Sequence, residues 1–159
     1  MVLTSEEFKI WAPVPDTREV KLYFAGPLFT SAERDWNAAI TAGLRAAGHE
    51  VFLLQEKEPG MDAAGIFTGD VGGIDWAAGL VAIVDGADAD SGTAWEVGYA
   101  FGKKPIVLVR TDIRALRGYE GGYNAMLTQS ATIRLDLDGA STNEVVSALL
   151  EALKRIQTR

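Results

Sequence analysis

The chain has 159 residues, of which 48% are hydrophobic, and it carries a formal net charge of −7 with no cysteine and a single histidine, His49. This size and apolar content fit one globular domain, while the absent cysteines and lone histidine exclude disulfides, a thiolate nucleophile and a histidine-rich zinc site, so we expect no metal or other cofactor. The acidic balance argues against a nucleic-acid polymer or a membrane as partner, and because no signal peptide or long apolar run is present we expect a soluble, cytoplasmic protein that binds small molecules.

The first 19 residues form a segment without sustained hydrophobic periodicity. They include two prolines, and we predict an N-terminal arm, 1–19, with room for one short helical turn. Its apolar side chains Phe8, Ile10 and Trp11 are candidates for packing on a neighbouring surface. From residue 20 the pattern changes, and we predict a single domain over 20–159.

Short apolar runs alternate with helical patterns throughout this domain. The apolar runs predict strands at 20–26, 50–54, 79–85, 105–110 and 131–136. The helical patterns predict helices at 31–48, 62–78, 92–102 and 142–157. The first helix has the clearest boundaries, since Thr30 or Ser31 can cap it and Gly48 can end it.

The predicted strands are almost continuously apolar, as a sheet buried on both faces requires. With helices between successive strands, the pattern predicts an α/β fold, a flavodoxin-like three-layer sandwich around a parallel sheet of about five strands in the order 2-1-3-4-5. Such sheets bind ligands beyond the carboxyl ends of their strands. The corresponding segments are 24–29, 54–58, 85–92 and 110–124.

The turn "FAGPLF", residues 24–29, ends the first predicted strand just after Tyr23. It contains neither G-x-G-x-x-G nor a Lys-Ser/Thr pair, so classical dinucleotide and nucleoside triphosphate binding are not predicted. Taken alone, Tyr23 is typical of an aromatic core residue with a hydrogen-bonded hydroxyl. A role in a site depends on what lies beside it.

The stretch "DADSGTAWEVGYAFG", residues 88–102, runs from an acidic turn into a helix that contains Glu96. Asp90 or Ser91 can cap this helix, and Gly92 leaves space above its first turn. A helix amino terminus carries about half a positive charge, so we expect a lowered pKa and an ionised Glu96 at neutral pH. Such a carboxylate suits nucleophilic attack on an electron-poor sugar carbon, although the helix dipole alone also favours an acid here.

Other residues near the predicted strand ends are weaker signals when taken singly. Asp70 lies in the helix before the third strand, and Gln55 follows the second strand, where its amide can meet a base edge. Asn124 can cap a short helix that begins after it. Each is more typical of a surface or capping residue than of a ligand contact, and Trp95 and Tyr99 are more typical of core packing than of a stacking platform.

Four motifs together resemble the nucleoside 2-deoxyribosyltransferase family in their order and spacing. They are "LYFAGPLF" in the first strand and turn, "GDVGGIDWAAGLVAIVD" around Asp70, "DSGTAWEVGYA" around Glu96 and "YNAML" around Asn124. The resemblance extends from Lys21 to Leu135, and the pattern D-x-G-x-x-x-E-x-G-x-A is its most specific part.

The resemblance implies a retaining double displacement that moves a 2-deoxyribosyl group between purine or pyrimidine bases. Glu96 would attack the anomeric carbon and form a covalent intermediate, Tyr23 would position Glu96, and Asp70 would exchange a proton with the base. The implied partners are 2'-deoxynucleosides and free nucleobases, and no cofactor is implied.

The same resemblance implies how the substrate is bound. Asp90 and Asn124 would bind the sugar hydroxyls, with Asn124 supplied by a neighbouring subunit. A homo-oligomer, a dimer or larger, with sites shared between subunits is therefore expected. The other residues implied in substrate binding are Gln55, Gly26, Gly92 and Phe29.

One position separates two related activities. Deoxynucleoside 5'-monophosphate N-hydrolases that resemble this family carry serine at the positions of Asp90 and Asn124, since a carboxylate would repel a phosphate dianion. Asp90 therefore favours a nucleoside as substrate. One alternative is a deoxynucleoside or nucleoside 5'-monophosphate N-glycosidase, a hydrolase that uses the same glutamate. The other is a non-enzymatic module that binds FMN or a nucleotide, against which the acidic loop 85–90 and the absent phosphate loop argue.

Overall fold

The computed structural model describes residues 2–4, 19–57, 60–112 and 123–157. Its strands are β1 (Val2–Thr4), β2 (Lys21–Ala25), β3 (Glu50–Leu53), β4 (Gly79–Ile83), β5 (Ile106–Arg110) and β6 (Ile133–Asp136). They form one parallel sheet in the order β1-β6-β5-β4-β2-β3. The five strands from β2 onward have the predicted order 2-1-3-4-5, so the predicted α/β fold is confirmed.

Strand β1 lies in the segment that the sequence predicted as an arm with a short helical turn. It pairs in parallel with β6, with Val2 opposite Arg134. Three residues are too few to show a strand periodicity, and their conformation depends on the open edge that β6 offers. The predicted contacts of Phe8, Ile10 and Trp11 lie outside the described residues.

Helices cover both faces of the sheet. They are α1 (Ser31–Ala46), α2 (Ala63–Trp76), α3 (Ser91–Ala100), α4 (Ala125–Ser130) and α5 (Thr142–Gln157), with a 3-10 turn at Leu54–Glu56. All four predicted helices are present, and α4 is the short helix expected after Asn124. Within the described ranges, no helix combines the length and apolar character that a bilayer crossing requires.

Side-chain and glycine signals define the ends of α1. Thr30, not Ser31, is the cap: its hydroxyl accepts a hydrogen bond from the Glu33 amide, and the Glu33 carboxylate accepts one from the Thr30 amide. Gly48 follows the helix with a φ of +93°, a conformation that favours glycine.

Alternate residues of β2 point to opposite faces of the sheet and divide the core in two. Leu22 and Phe24 pack with α1 and α5, whereas Tyr23 and Ala25 pack on the side of α2, α3 and α4. This alternation places the Tyr23 side chain on the face of the two helices that carry Asp70 and Glu96.

Helix α2 lies close to the sheet because Gly73 has no side chain. A Cβ at this position would lie 2.7 Å from the Phe52 ring of β3, well inside van der Waals contact. Phe52 is itself stacked on Tyr23, with ring centroids 5.5 Å apart. Gly73 therefore sets the separation of α2 from this face of the sheet, about one turn after Asp70.

Candidate active site

Three side chains from separate parts of the chain meet on the face of the sheet that α2 and α3 cover. Tyr23 projects from β2, Asp70 from α2 and Glu96 from α3. The Tyr23 hydroxyl lies 2.7 Å from Asp70 Oδ1 and 2.6 Å from Glu96 Oε1. Tyr23 is 1% exposed and Glu96 is 8% exposed, so their contact is shielded from bulk water. The structure brings together the three residues that the resemblance associates with catalysis, and we call them the triad.

The Tyr23 hydroxyl carries one proton but faces two carboxyl groups. A hydroxyl donates one linear hydrogen bond, so two ionised carboxylates at these distances would leave one oxygen facing the tyrosine oxygen without a proton between them. Both contacts are satisfied when one carboxyl group is protonated and donates to the tyrosine oxygen. The geometry therefore favours a triad that holds one proton on its two carboxyl groups.

Burial raises the proton affinity of every member of the triad. Desolvation raises the pKa of Glu96 to about 8; the hydrogen bond from Tyr23 opposes this rise, and the charges of Asp70 and Asp90 add to it. The pKa of Asp70 is also raised by burial. Burial and the charge of Glu96 raise the pKa of Tyr23, so its hydroxyl stays protonated.

The prediction that the α3 dipole lowers the pKa of Glu96 is wrong. Glu96 is the sixth residue of α3, and the effect of the dipole declines within the first turn. The cost of removing the carboxylate from water is larger and has the opposite sign. For Asp70, the raised pKa has the direction that proton exchange with a base requires.

Asp90, not Ser91, caps α3. Its Oδ2 accepts hydrogen bonds from the amide of Thr93 at 2.9 Å and from the hydroxyl of Thr93 at 3.2 Å. Gly92 is exposed, and a Cβ there would lie 3.1 Å from the same oxygen, so the glycine leaves space beside the carboxylate. In the described part of the chain no hydrogen bond involves Asp90 Oδ1, which leaves this oxygen for a ligand.

Asn37 holds the turn after β2, although the sequence did not identify it as a site residue. Its Nδ2 donates to the Pro27 carbonyl at 2.9 Å and to Gln55 Oε1 at 3.3 Å. Gly26 packs beside it, where a Cβ would lie 3.3 Å from Asn37 Oδ1. Asn37 is 2% exposed, and an amide on the inner, apolar face of α1 is the signal that could have identified it.

Gln55 and Phe29 are both predicted to bind the substrate, but only the Phe29 side chain is free to contact a ligand. Gln55 Nε2 donates to the Arg34 carbonyl at 2.9 Å, and its Oε1 accepts from Asn37, so both ends of the amide are bound to α1. The structure therefore does not present this amide to a base. Phe29 is 72% exposed at the end of the turn and is free to contact a ligand.

Asn124 caps α4, as its position in the sequence predicted. Its Oδ1 accepts a hydrogen bond from the Met126 amide at 2.9 Å. The helix packs beside α3 through the buried Leu127. Among the described residues, no hydrogen bond joins Asn124 to the triad or to Asp90.

Aromatic side chains line an exposed surface formed by α2 and α3. The Trp95 ring stacks on Tyr99 with centroids 5.3 Å apart and meets the Phe67 ring at 5.5 Å. Trp95 is 46% exposed, so the prediction that it packs in the core is wrong: the inward face of α3 is occupied by its neighbours Glu96 and Val97. We call Phe67, Trp95 and Tyr99 the aromatic surface.

The arrangement places groups side by side that can act as an acid, a base and a nucleophile. Two carboxyl groups with raised pKa values share one hydroxyl, and a third carboxylate, that of Asp90, lies near enough for its charge to affect Glu96. Across the described ranges, no group of three or more histidine or acidic side chains is arranged to hold a metal ion. Paired carboxyl groups of this kind are typical of chemistry at a glycosidic carbon.

A family model described as nucleoside 2-deoxyribosyltransferase matches residues 22–149. No curated protein sequence matches the chain. A conserved protein from Enterococcus faecalis V583 has a similar structure, with 26% identity and a TM-score of 0.66 over 87% of this chain and 99% of that one. A 2-deoxyribosyltransferase from Bacillus psychrosaccharolyticus is similar with 27% identity and a TM-score of 0.62, over 81% of this chain and 94% of that one. A CMP N-glycosidase from Clostridium botulinum shares the fold at 17% identity and a TM-score of 0.60, over 80% of this chain and 95% of that one.

Proposed function

The chain belongs to the nucleoside 2-deoxyribosyltransferase family, and from this premise we propose that it transfers the 2-deoxyribosyl group between purine or pyrimidine bases by a retaining double displacement. The observation that carries the proposal is the triad, in which the Tyr23 hydroxyl bridges Asp70 and Glu96 at 2.7 and 2.6 Å. It provides a nucleophile and a proton donor in one hydrogen-bonded unit. The proposed substrates are 2'-deoxynucleosides and free nucleobases.

The first half-reaction begins with a proton transfer inside the triad. We assign the resting proton to Glu96, whose burial raises its pKa to about 8. When this proton passes through the Tyr23 hydroxyl to Asp70, Glu96 becomes an anion and Asp70 becomes an acid. Glu96 then bonds to the anomeric carbon while the bond from that carbon to the base breaks, and Asp70 protonates the departing base.

The second half-reaction runs in the opposite direction. An incoming base attacks the anomeric carbon, the bond between the sugar and Glu96 breaks, and the proton that the base loses passes to Asp70. Two inversions at one carbon give retention. The triad regains the proton with which it started, so the cycle consumes no external acid or base.

The sugar preference follows from the reaction and from Asp90. A 2'-deoxy sugar lacks an electron-withdrawing hydroxyl, which eases the oxocarbenium-like transition state. Asp90 Oδ1 is available to accept a hydrogen bond from a sugar hydroxyl, whereas a 5'-phosphate would be repelled by the same carboxylate. We therefore assign nucleosides rather than nucleotides as substrates.

We further propose a homo-oligomer in which Asn124 completes the site of a neighbouring subunit. One observation supports this assembly: the aromatic surface next to Glu96 is exposed, with Trp95 at 46% and Phe67 at 57%. Exposed aromatic side chains grouped in this way are typical of protein–protein contacts.

The test is a transfer assay. We expect the protein to form 2'-deoxyadenosine from 2'-deoxyinosine and adenine, with product separated by chromatography, and a thymidine donor tests the pyrimidine branch. Glu96→Gln serves as the inactive control because an amide cannot form the covalent ester. If only free base and 2-deoxyribose appear, the transferase proposal fails and the hydrolase that uses the same glutamate replaces it.

A further inference from the structure

Arg110, the last residue of β5, is a buried charge that the proposed reaction does not use. It is 3% exposed and lies at the carboxyl end of the sheet. Its Nη1 donates to the Val84 carbonyl at 2.6 Å, and its Nη2 donates to the Gly86 carbonyl at 2.7 Å. Burying a guanidinium is costly unless its donors are used. These two bonds use both terminal nitrogens, while the buried Nε has no hydrogen-bond partner among the described residues.

Both carbonyls belong to the loop 84–90, which connects β4 to α3 and ends at Asp90. This loop turns at Gly86, which has a φ of +111° and where a Cβ would lie 2.8 Å from the Asp88 carbonyl oxygen. Arg110 therefore binds a loop whose backbone conformation is already restricted at Gly86. The path of this loop sets where α3 begins and where its cap, Asp90, lies.

A side chain of the loop itself, that of Asp85, also binds the segment that follows β5. The Asp85 carboxylate accepts hydrogen bonds from the Thr111 amide and the Thr111 hydroxyl, each at 2.6 Å, and from the Asp112 amide at 2.9 Å. The segments that follow β4 and β5 are thus joined in both directions, by Arg110 to one and by Asp85 to the other.

The guanidinium also contacts the segment before α4. The Arg110 Cζ lies 4.9 Å from the centroid of the Tyr123 ring, within cation–π distance. Tyr123 directly precedes Asn124, the cap of α4. One buried guanidinium therefore touches both the segment that ends at Asp90 and the segment that carries Asn124.

We propose that Arg110 is a positioning residue that sets the placement of both sugar-binding side chains, Asp90 and Asn124, through the loop 84–90 and the Tyr123 ring. The inference rests on the proposed function, which assigns sugar binding to these two residues. The hydrogen bonds of Arg110 among the described residues reach the loop 84–90 and not the triad, so we expect its larger effect on the binding of sugar hydroxyls. A lysine has neither the planar fork nor the flat face needed to make all three contacts.

The test compares Arg110→Met with the matched control Arg134→Met. Arg134 lies 5.3 Å from the same Tyr123 ring but donates to Asp136 at 2.9 Å and, within the described residues, not to the loop 84–90. We expect Arg110→Met to raise the KM for 2'-deoxyinosine at least ~10-fold with kcat changed by less than ~3-fold, since two hydrogen bonds from a charged donor are lost. Arg134→Met removes a contact to the Tyr123 ring but none to the loop 84–90, so it should raise the KM by less than Arg110→Met does.

Two further donors separate a loss of positioning from general damage to the protein. With 2',5'-dideoxyinosine and 2',3'-dideoxyinosine, each lacking one hydroxyl, the effect of Arg110→Met should shrink for the donor that lacks the hydroxyl bound by Asp90 or Asn124. Equal losses with all three donors, an unchanged KM with a reduced kcat, or an equal effect of Arg134→Met would overturn the proposal.

Two further measurements keep the test decisive. If Arg110→Met does not fold, Arg110→Lys retains the charge but loses one carbonyl contact, and the expected rise in KM is intermediate. The dissociation constant of 2'-deoxyinosine, measured by calorimetry in a Glu96→Gln background with and without Arg110→Met, reports positioning without catalysis. Failure of transfer by the wild type with a normal Arg110 effect on binding would count against the proposed function alone.

Discussion

At the scale of single residues, the proposed chemistry depends on one proton shared by the buried Tyr23 and Glu96 and the half-buried Asp70. Tyr23 stays protonated, and Asp70 and Glu96 both have raised pKa values because they are removed from water. A nucleophile with a pKa of about 8 would be mostly neutral at pH 7, but Asp70 offers an acceptor for its proton 2.7 Å beyond the bridging hydroxyl. In the proposed mechanism, transfer of the proton through Tyr23 therefore produces the nucleophile and the acid in one step.

The cost of ionising Glu96 predicts a pH-dependent effect of Glu96→Gln on stability. Because the folded-state pKa of about 8 exceeds the ordinary value of 4.5, the folded protein binds the proton more tightly. The free energy of unfolding therefore falls by up to ~5 kcal/mol as the pH rises from about 4.5 to about 8. Glu96→Gln should be nearly neutral at pH 5 and should raise the melting temperature at pH 9, while transfer activity falls more than ~10³-fold.

Calorimetric melting of both proteins at pH 5 and pH 9 checks this prediction, and the pH 5 pair is its internal control. A wild-type protein as stable at pH 9 as Glu96→Gln would show that the folded protein does not resist ionisation of Glu96.

The shared proton also predicts the pH profile of the reaction. Above pH 8 the two carboxyl groups lose their common proton, so Asp70 can no longer protonate the base, and kcat/KM for 2'-deoxyinosine should fall by about tenfold per pH unit. In Asp70→Asn, the residual activity should instead rise with pH, because it requires only an ionised Glu96. Initial rates from pH 5 to pH 10 give both profiles; a wild-type rate that keeps rising to pH 10 would contradict the proton transfer through Tyr23.

At the scale of secondary-structure elements, the separation of α2 from the sheet controls where Asp70 lies. Gly73→Ala would place a Cβ 2.7 Å from the Phe52 ring, which cannot retreat freely because it stacks on Tyr23. We expect a loss of about 1–3 kcal/mol of unfolding free energy and a more than ~10-fold drop in kcat, since α2 or the Tyr23 ring must shift.

Gly72→Ala is the matched control for this change. The neighbouring position is exposed and has no atom within 4 Å of an added Cβ, so alanine should stabilise α2 by up to about 1 kcal/mol and leave kcat unchanged. Denaturant unfolding measures the free energy of unfolding of both variants, and steady-state kinetics measures their kcat. Equal behaviour of the two variants would show that contact between α2 and Phe52 does not position Asp70.

At the scale of the whole molecule, the proposed sharing of sites predicts complementation between two inactive variants. Glu96→Gln lacks the nucleophile, and Asn124→Ala lacks the side chain proposed to serve a neighbour. In a mixed oligomer, an Asn124→Ala subunit keeps its own Glu96 and receives Asn124 from its Glu96→Gln neighbour, so some sites are complete. We expect co-expressed or dissociated and reassembled mixtures to recover transfer activity, up to about a quarter of the wild-type value for random dimers.

Light scattering of the wild-type protein establishes the assembly on which this prediction depends. A monomer would contradict the shared site directly. An oligomer whose mixtures stay inactive would place Asn124 in the site of its own chain.

Much of the fold was determined by local sequence pattern. The apolar runs and helical periodicity located β2 to β6 and four helices, because burial on one or two faces imposes its period on the residues themselves. The alternation of strands and helices indicated a parallel sheet, and the order 2-1-3-4-5 was predicted as one of the two orders common in such sheets. Capping was also readable, since Asp90 and Asn124 are residue types that satisfy free helix amides within three positions.

The tertiary structure decided what the sequence could not. Strand β1 exists through the edge of β6, and the outward position of Trp95 and the engagement of the Gln55 amide depend on how α3 and α1 sit on the sheet. The sequence alone marked Glu96 as a candidate nucleophile but predicted the wrong direction for its pKa. The direction of the pKa shift depends on burial. Glu96 is buried where α3 meets β2 and α2, and its partner Tyr23 lies 47 residues from Asp70 and 73 residues from Glu96 in the sequence.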